Sequence, residues 1–185
     1  MKNGSVKRKP AVFLDRDGVL CKEEGYITSK SQLHIFDFAQ DCIWKIHRAG
    51  YLAICITNQA AVGKGLLEER ELLRMNEYLK MQTGLDAIYY CPHHPDGFGR
   101  YGHICSCRKP KTGMILKASE DFSIDIPHSL MIGDRATDIL CGQKAGMKTV
   151  LLESGYGTKR LEQNVHADNI YNDLRQAIEE LLYHG

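Results

Sequence analysis

The chain has no excess of charge of either sign. Its 24 Lys and Arg balance 23 Asp and Glu, leaving a formal net charge of +1. The broad basic field of a nucleic-acid-binding protein is therefore missing. No apolar run approaches the ~20 residues that span a bilayer, so no membrane-embedded role is expected. The stretch 1–10 carries Lys2, Lys7, Arg8 and Lys9 without the apolar segment of a secretory signal, and it reads as a short solvated lead-in. The expected compartment is the cytoplasm. There is no internal repeat, no low-complexity segment and no apolar tail, and the modest size points to a monomer. With 185 residues, 43 % hydrophobic and 25 % charged, the composition suits one soluble domain over 1–185 with a full core. Seven cysteines in a reducing compartment suggest thiols or metal ligands rather than disulfides.

The chain is organised around Ala11-Val12-Phe13-Leu14-Asp15-Arg16-Asp17-Gly18. Four apolar residues run into two carboxylates set two apart. The run suits a strand buried on both faces of a parallel sheet, with Asp15 at its carboxyl end, where open α/β sheets place their chemistry. In extended backbone, residues i and i+2 point the same way, so Asp15 and Asp17 would converge and call for a cation or a shared proton. An Asx-type turn closing at Asp17-Gly18 is the plainer reading of the same residues.

Strand and helix patterns alternate along the rest of the chain. Strands are expected at 11–15, 51–57, 86–90, 129–133 and 148–152, with a short edge strand at 168–171. Helices are expected at 38–49, 67–82, 113–121, 136–145 and 172–183. Residues 16–37 form a loop or short flap, 58–65 a glycine-containing loop, and 91–112 an irregular segment rich in Cys, His, Pro and Gly. This alternation predicts an α/β fold: a three-layer, Rossmann-like parallel sheet with helices on both faces.

On this scheme Asp15, Thr57, Asn58 and Asp134 share one carboxyl edge, and Arg108 and Lys109 reach it from the loop before the 113–121 helix. Asp15, Asp17 and Asp134 suit a hard divalent cation such as Mg²⁺. A carboxylate can attack phosphorus, Lys109 and the cation would offset the charge on a transferring phosphoryl group, and Asp17 could exchange the proton. Singly, each residue has a bland alternative. Thr57 could end a strand, Arg108-Lys109-Pro110 could be a basic turn, Asp134 could cap a helix, and Asp138 could lie on the surface. Jointly those alternatives would need four unrelated features to fall at one sheet edge.

A second cluster is Cys91-Pro92-His93-His94 followed, across eleven residues, by Cys105-Ser106-Cys107. Cys91, His93, Cys105 and Cys107 make a closed Cys₃His zinc site of the structural kind, with His94 and His103 as rivals for the imidazole. It would order the loop over about 91–109 and lead directly to Arg108-Lys109. Cys21, Cys42, Cys55 and Cys141 have no partner at such spacing and are expected as buried apolar residues.

The first set resembles the haloacid dehalogenase (HAD)-like phosphohydrolases over about residues 11–155. The matching motifs are Asp15-Arg16-Asp17-Gly18-Val19, Thr57-Asn58-Gln59, Lys109 and Gly133-Asp134-Arg135-Ala136-Thr137-Asp138. The resemblance implies Asp15 as nucleophile, Asp17 as acid/base, and Thr57 and Lys109 steadying the phosphoryl group. It implies Mg²⁺ held by Asp15, Asp134 and the backbone carbonyl of Asp17, with a small flap in place of a cap domain. The zinc loop, together with Gly25-Tyr26 and Gly63-x-Gly65, narrows this to the D-glycero-D-manno-heptose-1,7-bisphosphate 7-phosphatases. Histidinol-phosphate phosphatases share the zinc loop but usually have a shorter gap between the hooks. The implied activity is removal of the C7 phosphate through an aspartyl-phosphate, toward nucleotide-activated heptose for lipopolysaccharide. The same resemblance places substrate against Glu23, Glu24, Gly25, Tyr26, Thr57, Asn58, Gln59, Ala60, Arg108 and Lys109. Arg135 also lies near the substrate, where many members have Lys. A histidinol-phosphate phosphatase is the alternative enzyme, and a zinc-stabilised, non-catalytic binding protein is the alternative of another class.

Overall fold

The computed structural model describes residues 8–161 and 164–183. Most of the lead-in, residues 1–7, lies outside the described residues. Six strands form one sheet: β1 (Ala11–Leu14), β2 (Leu52–Asn58), β3 (Ala87–Cys91), β4 (Leu130–Gly133), β5 (Lys148–Leu152) and β6 (Asn169–Tyr171). All neighbours are parallel, in the order β3-β2-β1-β4-β5-β6. Between β1 and β4 the order reverses, which makes the carboxyl ends of these two strands the switch point where open α/β sheets bind ligands.

The helices are α1 (Ala39–Arg48), α2 (Ala60–Gly63), α3 (Glu69–Thr83), α4 (Gly113–Phe122), α5 (Ala136–Ala145) and α6 (Leu174–Leu182). They cover both faces, as a fully apolar β1 requires. Alternation along the strands sorts the core. Val12, Leu14, Ala53 and Cys55 pack with Ile43 and Ile46 of α1, Leu72 and Met75 of α3 and Ile178 of α6. Ala11, Phe13, Ile54 and Ile56 pack with Met114, Ile115 and Ala118 of α4 and Cys141 of α5.

Three local expectations change. The 58–65 loop contains α2, and Asn58 closes β2 instead of opening the loop. The 16–37 segment is more firmly seated than a projecting flap: Val19, Leu20, Cys21, Ile27 and Leu33 are buried in the core, and Cys21 bridges both Asp17 and Ile35. Only its tip around Gly25 and Tyr26 stands out. Cys42, Cys55 and Cys141 are buried, as is Cys21, but Cys21 is not merely apolar, because its thiol donates to Asp17 Oδ1 at 3.2 Å.

Candidate active site

The chain leaves β1 at Asp15, whose backbone N–H still donates to Ile132 O of β4 at 3.0 Å. That bond sets Asp15 beside the end of β4, where Asp134 follows Gly133. Lys109 Nζ lies 2.9 Å from Asp15 Oδ1 and 2.7 Å from Asp138 Oδ1, and donates to Ile56 O at 2.7 Å. Asn58 fixes the Lys109 backbone from both sides: its Oδ1 accepts from Lys109 N at 3.0 Å and its Nδ2 donates to Lys109 O at 3.1 Å. The lysine thus enters the sheet edge on an amide clamp rather than on a free loop.

Asp15, Asp134 and Asp138 each place one oxygen within 4.8 Å of the others. Burial, and then the charges of Asp15 and Asp138, push the Asp134 carboxyl up to about 8. Burial and Asp15 push Asp138 up to about 6 against the pull of Lys109. Burial opposes the charge of Lys109, but Asp138 and Asp15 outweigh it and raise its pKa above the ordinary lysine value. Asp134 Oδ1 is buried without a hydrogen-bond partner. Crowded carboxylate oxygens, one of them orphaned, are the donor set a hard divalent cation takes. Asp138, which the sequence allowed on the surface, is completely buried.

The Asp17 side chain does not join that group. Its Oδ1 accepts from Arg16 Nε at 2.9 Å and its Oδ2 from Arg16 Nη2 at 3.0 Å. Gln59 Nε2 donates to Oδ2 at 3.1 Å, and also to Thr57 Oγ1 at 2.9 Å. With the Cys21 thiol, four donors fill the four lone-pair positions of the carboxylate. Burial works against the charge, but Arg16 prevails and holds Asp17 below its ordinary pKa. Arg16 itself is the largest fully buried side chain. Its Nη1 reaches Asn76 Oδ1 of α3 at 3.3 Å.

Above these groups lies a cleft of about 340 Å³. Asp15, Asp17, Gly25, Tyr26, Thr57, Asn58, Gln59, Ala60, Arg108, Lys109 and Arg135 all line it. Glu23 reaches the rim by pairing with Arg135 Nη2 at 2.7 Å. Glu24 turns to His34, at 3.7 Å, and neither glutamate lines the cleft itself. His94 and Tyr156 line the cleft unforeseen. His94 accepts the Asp96 backbone N–H on Nδ1 at 3.1 Å, and its pKa is lowered by burial and then by Arg108 and Lys64. Tyr156 lies under the Arg135 guanidinium, 4.1 Å from it. The signal for Tyr156 was the glycine-flanked Ser154-Gly155-Tyr156-Gly157 after β5.

Next to the cleft, Cys107 Sγ lies 3.2 Å from Cys91 Sγ, 3.3 Å from Cys105 Sγ and 3.3 Å from His93 Nδ1. Cys91 and Cys105 are 3.5 Å apart. A tetrahedron with metal–sulfur bonds of ~2.3 Å has edges of about 3.8 Å, so three sulfurs and one imidazole nitrogen stand close to tetrahedral ligand positions. The imidazole is that of His93. His94 faces the cleft, and His103 stacks at 4.5 Å from the His93 ring. The loop is tied down by Glu69 of α3, which accepts from Tyr90, Tyr101 and Arg100.

The HAD-hydrolase-like family model matches residues 106–177. The chain is 39 % identical to D-glycero-beta-D-manno-heptose-1,7-bisphosphate 7-phosphatase of Pasteurella multocida, over 80 % of this chain and 83 % of that protein. It is 38 % identical to the D-glycero-alpha-D-manno-heptose-1,7-bisphosphate 7-phosphatase of Burkholderia mallei, over 77 % of this chain and 78 % of that one. The crystal structure of D,D-heptose 1,7-bisphosphate phosphatase from B. bronchiseptica, complexed with magnesium and phosphate, superposes with a TM-score of 0.80 at 26 % identity. It covers 95 % of this chain and 99 % of that one. Sheet order, edge chemistry and relatives agree: the chain belongs to the HAD-like phosphatases, in the D-glycero-D-manno-heptose-1,7-bisphosphate 7-phosphatase family.

Proposed function

We propose that the protein is a Mg²⁺-dependent phosphatase that removes the C7 phosphate of D-glycero-D-manno-heptose 1,7-bisphosphate. The observation that carries this reading is the placement of Asp15 at the switch point, 2.9 Å from Lys109 Nζ, under a cleft lined by the end of β2, the starts of α2 and α5 and the loops between them. Bound Mg²⁺ would supply charge to offset that of the transferring phosphoryl group. Asp15, Asp134 and the Asp17 carbonyl would hold the cation. An Asp15 oxygen attacks phosphorus, the bond from phosphorus to the C7 oxygen breaks, and that oxygen takes a proton from Asp17. Water then attacks the aspartyl-phosphate phosphorus and gives its proton to Asp17, releasing orthophosphate and restoring Asp15. Lys109 and the Thr57 hydroxyl hold the phosphoryl oxygens. Arg16 keeps Asp17 ionised in the free protein, so one of its four donors must let go before it handles a proton.

Glu23, Gly25, Tyr26, Asn58, Gln59, Ala60, Arg108 and Arg135 surround the sugar in this reading. Cys91, His93, Cys105 and Cys107 hold a structural zinc that orders the loop carrying Arg108 and Lys109. One domain, acting as a monomer in the cytoplasm without nucleic acid or membrane, fits the single sheet and the described cysteines, all of them free thiols. No helix among the described residues is long and apolar enough to cross a membrane. The product would feed nucleotide-activated heptose for lipopolysaccharide.

The test is turnover of the α and β anomers of the heptose bisphosphate against histidinol phosphate, with Mg²⁺. Preference for either anomer by at least about tenfold in kcat/KM, ~1.4 kcal/mol of transition-state discrimination, supports the reading. Preference for histidinol phosphate overturns the substrate, and absence of phosphate release from all three overturns the reaction.

A further inference from the structure

The two oxygens of Asp134 have different surroundings. Oδ2 accepts the Tyr156 backbone N–H at 2.8 Å. Oδ1 has no hydrogen-bond partner, and Arg135 Nε stands off from it at 3.9 Å. Backbone presses on this carboxylate from two directions. A Cβ on Gly18 would lie 2.5 Å from Oδ2 and 2.7 Å from Cγ. A Cβ on Gly155 would overlap Oδ2 outright and lie 2.7 Å from Cγ. Separations this short force something to move.

The two glycines are not equivalent. Gly18 has φ +81°, so it is needed for its backbone as well. Gly155 lies outside the left-handed region, and alanine fits its backbone. The nearest atoms that a methyl group at 155 would displace all belong to one side chain, the carboxylate of Asp134 first and its Cβ, at 2.9 Å, next. The position of Asp134 therefore depends on Gly155.

We infer that Gly155 is a positioning residue for the cation site: its bare Cα seats Asp134 Oδ2 on the Tyr156 N–H and so leaves Oδ1 for the metal. The inference rests on the reading of Asp134 as a Mg²⁺ donor. Outer contacts of this kind typically set metal affinity by ~10–100-fold.

The test is calorimetric titration of Mg²⁺ into magnesium-free protein that retains its zinc, with the thermal midpoint of each magnesium-free variant measured alongside. Four proteins are compared: wild type, Asp134→Asn, Gly155→Ala and Gly157→Ala. Gly157 shares the turn, has φ +57°, and donates its N–H to Asp134 O at 3.0 Å, but its Cβ would meet Glu153 rather than Asp134, so its substitution strains the same turn without setting an atom against the carboxylate. Gly155→Ala is expected to weaken Mg²⁺ binding by about tenfold or more, with its magnesium-free midpoint close to that of wild type. Gly157→Ala is expected to lower the midpoint and leave Mg²⁺ affinity within about twofold. The inference is overturned if Gly155→Ala binds Mg²⁺ as wild type does, if Gly157→Ala loses as much affinity, or if Gly155→Ala does not fold. If Asp134→Asn binds Mg²⁺ like wild type, the fault lies in the reading of Asp134 as a donor.

Discussion

Two cation-type clusters sit side by side in this protein and are built in opposite ways. Asp15, Asp134 and Asp138 are hard oxygen donors on or beside the ends of paired central strands. Cys91, His93, Cys105 and Cys107 are soft donors, of which only Cys91 belongs to a strand. The acidic set keeps an orphaned oxygen and faces a cleft, whereas the thiol set closes on itself. Where the sheet supplies the geometry, a site can stay incomplete and so admit substrate. Where a loop supplies it, the ligands have to complete the structure.

Removing the central carboxylate tests the first half of this contrast and carries the largest expected effect. Asp15→Asn should lower kcat by at least about 10³-fold, over 4 kcal/mol of barrier, while circular dichroism and zinc content stay those of wild type. Turnover near the wild-type value would exclude covalent catalysis by Asp15. Breaking the thiol cluster should act differently. Cys107→Ser is expected to lower the thermal midpoint by about 5–10 °C, at roughly 2–4 °C per kcal/mol for a chain of this size. Its kcat/KM should fall by ~10–100-fold through Arg108 and Lys109. Loss of the proposed zinc with an unchanged midpoint would show that the loop keeps its shape without a metal.

The smallest effect is a trend with pH. Asp134 and Asp138 titrate near 8 and 6 in the folded protein, above the ~4 of an unfolded aspartate. Over that window the folded state binds more protons than the unfolded one, so these two groups make the magnesium-free protein less stable as pH rises from about 4 to 8. Mg²⁺ competes with those protons, so its stabilising shift in thermal midpoint should grow across the same range. A shift that is flat or shrinks with pH would remove the crowded carboxylates as its cause. The zinc-loop ligands should show no such dependence on added Mg²⁺, which keeps the two clusters separable.

How far these regions were legible in the sequence follows from what each is made of. Continuous apolar runs ending in Asp15 and Asp134 marked β1 and β4 because parallel strands are buried on both faces. The hooks Cys91-x-His93 and Cys105-x-Cys107 marked the thiol cluster because metal ligands cluster at short spacing. The four residues of α2 carry too little periodicity to be read. Arg16 gave no sign of being buried, since only the fold brings Asn76 and the cage around Asp17 to it. Asp138 could be placed by its motif but not by its pattern, because a single acidic position in a helix is compatible with the surface until Lys109 is seen beside it. Gly155 and Tyr156 lie in a turn with no apolar pattern.

The strand order also bears on synthesis. β1 is made well before one of its two neighbours, β4, which begins only at Leu130. Until then Ala11–Leu14, apolar throughout, presents an unpaired edge of the kind that recruits other chains. A chain halted between β3 and β4 would lack both Asp134 and the Ile132 carbonyl that fixes Asp15. It would be both inactive and prone to aggregate. Gain of phosphatase activity therefore reports the insertion of β4, the step that also seals the most apolar edge of the growing sheet.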